Sequence, residues 1–265
     1  SDMTASKSVG RTFKFFVFLG RRTGKTRVFA VLGLIPVALA VVVRVFLRGR
    51  TGLMADVSTE ILMVFFLQFY IVLLALFYGT SVTAEEVENR TLSYLITRPL
   101  PKPAFVLGKF AAYAFVVFMM VAVSLALSYF VLNAARLGEP GLYATFLRYL
   151  GVLGLGILAY MAFFTFLGTV LKRAIIVGLM FGFGWENVIQ YFPGSTQRFS
   201  IVHYLKSLLP YHAGSVSGGK GVALLLFRLE PTDPFLAALA LAAITAVLLA
   251  LACVVFRTKE YLFED

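Results

Sequence analysis

The chain has 265 residues, of which 60% are hydrophobic and only 14% charged, and it carries a net charge of +11; its mean hydropathy is +0.89. Soluble domains average about 45–50% apolar and 25% charged residues, so a water-soluble fold is excluded and lipid must solvate most of the surface. The positive charge points to cytoplasmic loops and anionic headgroups, and not to nucleic acid, because no basic soluble module is there to carry such binding.

The length accommodates a single membrane domain over residues 1–265: an interfacial elbow (1–27), six spans (28–256) and a cytoplasmic tail (257–265). On a helical wheel over residues 9–27, Arg11, Lys14, Arg21, Arg22 and Lys25 share an arc of roughly 100°, with Phe13, Phe15, Phe16, Val17 and Leu19 outside it. Phe18 and Arg27 break the pattern. The segment is predicted to be an amphipathic elbow helix in the inner headgroup plane. No small-residue cleavage site follows the next apolar run, so no cleavable signal peptide is expected.

A span needs roughly 20 apolar residues, and six stretches qualify: 28–47, 61–83, 104–133, 146–171, 174–192 and 234–256. Pro36 is tolerable in the first, because neighbours can satisfy a freed carbonyl. The third and fourth exceed the need, and tilt or an in-plane start would absorb the excess. The long connection from Pro193 to Asp233 contains an amphipathic stretch, 199–209. There Ile201, Val202, Leu205, Leu208 and Leu209 oppose Ser200, His203, Lys206 and Ser207, which predicts a short helix resting on the outer interface. The apolar patch Val222–Phe227 is placed to dip back toward the membrane. With the N-terminus inside, fifteen Lys and Arg fall on inner segments and nine on outer ones, a bias that sets both termini in the cytoplasm. The single Cys253 allows no intrachain disulfide and reads as packing.

Two nucleotide-like motifs are accidental. Gly20-Arg21-Arg22-Thr23-Gly24-Lys25-Thr26 has three residues between its glycines where a phosphate loop needs four, and a membrane span follows it. Ser217-Gly218-Gly219 falls on the outer side. The chain is therefore not expected to be an ATPase or to bind a cofactor or metal of its own.

The informative stretch joins spans two and three. Glu85, Glu86 and Glu88 form a carboxylate cluster suited to the first turn of a helix, where the dipole is positive. Leu92, Leu95 and Ile96 follow as an apolar stripe at helical spacing, and Arg98-Pro99 ends it, because proline disfavours a helical residue before it. Such a helix is suited to dock in a groove on a partner; otherwise it is an ordinary solvated loop. The stretch closely resembles the permeases of the ABC-2 transporter family, with their Glu-rich segment, Thr-Leu, a Leu-Leu-Thr-x-Pro element, a basic residue and Leu-Gly-Lys. Here these elements are Glu85, Glu86, Glu88, Thr91, Leu92, Leu95, Ile96, Thr97, Pro99, Lys102, Leu107, Gly108 and Lys109. The resemblance implies an all-α, type V-like permease of six spans in a prokaryotic inner membrane. It implies that the loop, with Arg90 between its acids and its stripe, is a coupling helix seated on a cytoplasmic ABC ATPase. It further implies two permease copies on two ATPase copies, with ATP and magnesium on the partner, and export by alternating access.

Two other classes remain open at this stage. Glu85-Glu86-Val87-Glu88-Asn89-Arg90 and Phe199-Ser200-Ile201-Val202-His203 also resemble elements of intramembrane CAAX-type endopeptidases, in which paired carboxylates and histidines activate water. Their last His-x-x-x-Asn element is missing, since Ser207 follows His203 and Val216 follows His212 at that spacing. The third class is an ATP-independent channel or structural membrane protein. Polar groups inside the spans are few: Gln68, Ser124, Ser128, Glu186, Asn187 and Gln190. An intramembrane carboxylate is a functional-site candidate, so these six are expected along a substrate path. Alternatively, Glu186 pairs with Arg44. Gly178 and Gly182 form a small-xxx-small pair suited to close helix packing or a dimer seam.

Overall fold

The computed structural model describes residues 10, 12–19, 24–46, 59, 61–83, 102–171, 173–189, 198–209 and 232–258. The coupling stretch with Glu85, Glu86, Glu88, Arg90, Thr91, Leu92, Leu95 and Ile96 lies outside the described residues, as do Gln190, Ser217-Gly218-Gly219, Val222–Phe227 and most of the tail.

Among the described residues all regular structure is helical. The helices are α1 (12–19), α2 (Gly24–Leu32), α3 (Leu34–Phe46), α4 (Ile61–Ser81), α5 (Lys102–Leu132) and α6 (Pro140–Val170). After them come α7 (Ala174–Leu179, continued by the π-helical turn Met180–Trp185 and the turn Glu186–Val188), α8 (Ile201–Leu208) and α9 (Pro234–Thr258). Five segments, α2 with α3, α4, α5, α6 and α9, are long and apolar enough to cross a bilayer, so the chain is an integral membrane protein of the all-α class. Of the fifth expected span, 174–192, the described residues hold the apolar helix Ala174–Trp185 and the turn Glu186–Val188, and residues 190–192 lie outside the described residues.

Local chemistry sets the ends. α6 begins six residues earlier than hydropathy suggests because Pro140 occupies its first turn, where the missing N–H costs nothing. Asp233 opens α9 by accepting the Phe235 N–H at 2.8 Å. The first span breaks at Gly33, three residues before Pro36. The Gly33 carbonyl at this break takes a bond from the Ser124 hydroxyl of α5 at 2.5 Å.

α4 is the central helix. Phe66, Leu67, Tyr70, Ile71, Leu74 and Leu76 are fully buried around its circumference, the pattern of a helix apolar on every side. It packs chiefly on α6, while α9 covers another face of α6 and α3 lies along α5. The elbow helix α1 is docked rather than detached. Phe13 meets Phe115 edge-on at 5.9 Å, and Phe16 meets Phe105 and Tyr113 at 5.6 and 6.0 Å. The Lys109 ammonium sits over the Phe16, Phe105 and Tyr113 rings, 5.2–5.9 Å from their centroids, where cation–π attraction offsets its burial.

Gly178 and Gly182 face into the chain, so their close approach serves α7 on α4 and α6 and not a seam between copies. A Cβ on Gly178 would overlap Leu76 Cδ1 and lie 3.1 Å from the Phe164 ring, and one on Gly182 would lie 2.6 Å from Val72 Cγ1. Gly178→Val is therefore expected to overpack this junction by about 1–3 kcal/mol, lowering the thermal unfolding midpoint of the purified permease by roughly 3–10 °C. Gly184→Val is the control, because its Cβ meets nothing within 4 Å. Equal shifts in the two variants would contradict the packing role.

Candidate functional site

The most elaborate polar arrangement among the described residues centres on Glu186, which ends α7 and is buried. The chain after it places Ser200 in an extended conformation as the N-cap of α8, with no capping bond from its own side chain. Glu186 supplies the cap from another helix. Its carboxylate accepts a hydrogen bond from the Ser200 hydroxyl and the backbone N–H groups of Ile201 at 3.1 Å and Val202 at 3.4 Å. A carboxylate at this position answers orphan donors and the positive end of the helix dipole together. The expected pairing with Arg44 is not what forms: the Arg44 guanidinium donates to the Val131 carbonyl at the far end of α5.

The other face of α8 is tied to α9. His203 Nε2 lies 2.9 Å from the Thr232 hydroxyl, and the Thr232 N–H donates to Ser207 Oγ at 3.3 Å. α8 was expected to rest on the interface with its polar side in water; instead Ser200, His203 and Lys206 are all buried. The reason is packing depth, since Leu205 places its methyls 3.0–3.3 Å from where a Cβ would project at Gly156, midway along α6. Burial pulls the Lys206 ammonium down to about 8, against the opposing attraction of Glu186. Burial also lowers His203 below its ordinary value, with Arg198 and Lys206 adding to the effect. His203 Nδ1 is buried without a hydrogen-bond partner among the described residues, and the buried Tyr160 hydroxyl faces the Glu186 carboxylate.

The six expected path residues do not form one cluster. Ser124 is bonded to Gly33 and so joins α5 to the first span, whereas Ser128 donates to the Ser124 carbonyl at 2.8 Å within α5 itself. Gln68 is half-buried in the π-helical turn Phe66–Tyr70, which packs against α6 and α8. Asn187 continues the helical turn after Glu186.

A second polar feature escaped the sequence reading. At the inner end of α4, Thr165 of α6 donates to the Gly79 carbonyl at 3.1 Å, Thr83 to the Thr165 carbonyl at 3.5 Å, and Thr169 to Thr83 Oγ1 at 3.5 Å. Gly79 and Gly168 let the backbones approach: a Cβ on either would fall within 3 Å of Phe164 Cβ or Thr83 Oγ1. Small residues with interhelical hydroxyl bonds are how membrane helices associate without a hydrophobic driving force. The available signal was the Thr165-x-x-x-Thr169 spacing with Gly168 beside it.

The nucleotide-like residues have structural roles. Lys25 Nζ reaches Ser81 Oγ at 3.4 Å, and the Thr26 and Tyr78 hydroxyls lie 2.6 Å apart. Both bonds join the start of α2 to α4.

A bundle of long apolar helices, joined toward one end by a hydroxyl seam and holding a carboxylate-capped helix elsewhere, defines a polytopic membrane protein. The family model described as "ABC-2 family transporter protein" matches residues 49–261, most of the chain, and the chain belongs to that family. It is thus a membrane transport subunit of the ABC class. No curated protein matches it.

Proposed function

We propose that this chain is the permease of an ATP-driven exporter, working as one of two permease copies on two copies of a separate cytoplasmic ABC ATPase that binds ATP and magnesium. Family membership over residues 49–261 is the observation that carries the reading. In this reading α7 completes a sixth crossing together with the residues that follow it, both termini face the cytoplasm, and the stretch containing Glu85 to Ile96 is the coupling helix. Closure of the ATPase dimer pushes on that helix, and the threonine seam passes the force from α4 to α6. At the outer end, α8 ties α7 to α9, so these helices move together when the outer side opens. Glu186 and Gln68 are the parts of the expected substrate path that this motion would expose, and Ser124 stabilises the first span.

The test is copurification of the tagged permease from native membranes. A stoichiometric ATPase and cargo-stimulated ATP hydrolysis are expected, and a cysteine at Glu88 should be shielded in intact cells while one at Ser217 is labelled, with Cys253 replaced. A permease that purifies without an ATPase under conditions that preserve its fold would reject the reading.

A further inference from the structure

A lateral cavity of about 540 Å³ opens between the elbow, the first span, α4 and α5, a size common for small-molecule sites. Its wall is apolar, formed by Val17, Ala30, Leu34, Met119, Val123 and Leu127 among others. The polar groups in that wall are already satisfied by the protein: Ser124 donates to the Gly33 carbonyl at 2.5 Å, Tyr70 to the Phe29 carbonyl at 3.2 Å, and Thr26 is bonded to Tyr78. A polar cargo would find little to bind there. A hydrocarbon chain needs nothing more.

We propose that this groove holds one acyl chain of an anionic phospholipid drawn from the leaflet on the elbow side. Length and direction support the assignment. From Phe115, where the elbow crosses α5, to Leu127 the groove follows α5 for about 18 Å at 1.5 Å per residue. That is a little more than half of the ~30 Å hydrocarbon core, so the groove starts at the elbow and ends near the bilayer middle, the depth of one leaflet. Charge supports it as well. Lys14 lies one turn before Val17 on α1 and Arg27 follows Thr26 on α2; both are exposed, and Val17 and Thr26 line the groove. Cations placed there meet a phosphate at the level where the acyl chain enters. The bound chain would fill the space between the elbow and the first span, holding both against α5.

Native mass spectrometry of the full, delipidated permease, titrated with phosphatidylglycerol or phosphatidylcholine, tests this. One tightly held phosphatidylglycerol per chain is expected. Met119→Trp with Val123→Trp fills the groove from positions that already face outward, and should weaken that binding at least tenfold. Leu127→Trp alone is the fallback if the double variant misfolds. Val247→Trp, equally lipid-facing on α9, should bind like the parent. Lys14→Gln and Arg27→Gln should each cost about fivefold for phosphatidylglycerol and leave phosphatidylcholine unchanged. The proposal is overturned if the filled variants bind as the parent does, or if the parent holds the two lipids equally.

Discussion

Glu186→Ala should unfold the outer end of the permease before it changes anything else. The substitution leaves the Ser200 hydroxyl and the Ile201 and Val202 N–H groups inside the protein without their acceptor. Each buried donor abandoned in this way costs about 1–3 kcal/mol, so a loss of several kcal/mol is expected, or roughly 5–10 °C in the unfolding midpoint at about 2–4 °C per kcal/mol. Lys206 would also lose the charge that opposes its desolvation. Ser200→Ala removes one bond of the three and should shift the midpoint by only about 2–4 °C. Glu186→Gln keeps one acceptor oxygen and should fall between them. These variants separate two roles for the carboxylate. If Glu186→Ala keeps the parent's midpoint but loses transport, the group serves cargo and its capping of α8 is incidental. If stability and transport fall together and Glu186→Gln restores part of both, the cap is the function.

Hydropathy made the long helices legible, because a crossing demands an apolar run and little else in the chain competes with that signal. α4, α5 and α9 sit within a few residues of where it placed them. It could not place ends. The fourth run begins at Phe146 by composition, yet Pro140 starts the helix. Nor could it show that Glu186, inside the fifth run, caps a helix from elsewhere in the chain. Periodicity read the two sides of α8 correctly and misjudged what each side meets. Ser200, His203 and Lys206 look like a water-facing stripe because their partners, Glu186 and Thr232, lie 14 and 29 residues away in the chain. The same limit applies to Gly178 and Gly182. Small residues four apart announce a close approach but not which neighbour approaches, and here it is Leu76, Val72 and Phe164 of the same chain. The threonine seam was hidden for a further reason: single hydroxyls in an apolar run alter hydropathy little, and bonds to a residue's own preceding turn are open to them in any helix, as Thr80 to the Leu76 carbonyl shows.

In the proposed function the stretch from Glu85 to Ile96 couples the spans to the ATPase, and its acids and its apolar stripe should then do different jobs. Leu92, Leu95 and Ile96 are the residues expected to bury against the ATPase, and truncating a well-buried leucine costs about 2–5 kcal/mol. Leu92→Ala with Leu95→Ala should therefore weaken the ATPase complex by about a thousandfold or more, at tenfold per 1.4 kcal/mol, and leave the enzyme in the soluble fraction. Glu85, Glu86 and Glu88 precede the stripe in sequence, and an exposed ion pair contributes only about 0–1 kcal/mol. Neutralising one of them, as in Glu86→Gln, should leave assembly intact and reduce transport per ATP hydrolysed. The threonine seam supplies an internal control. Thr165→Val removes the bond to Gly79 without touching the partner surface, so it should preserve ATPase binding while lowering the same ratio. A pull-down and an ATPase assay on these three variants read both quantities. Retention of the ATPase by the double alanine variant at parental affinity would show that docking lies elsewhere, and the force path from this stretch into α4 and α6 would then have no input.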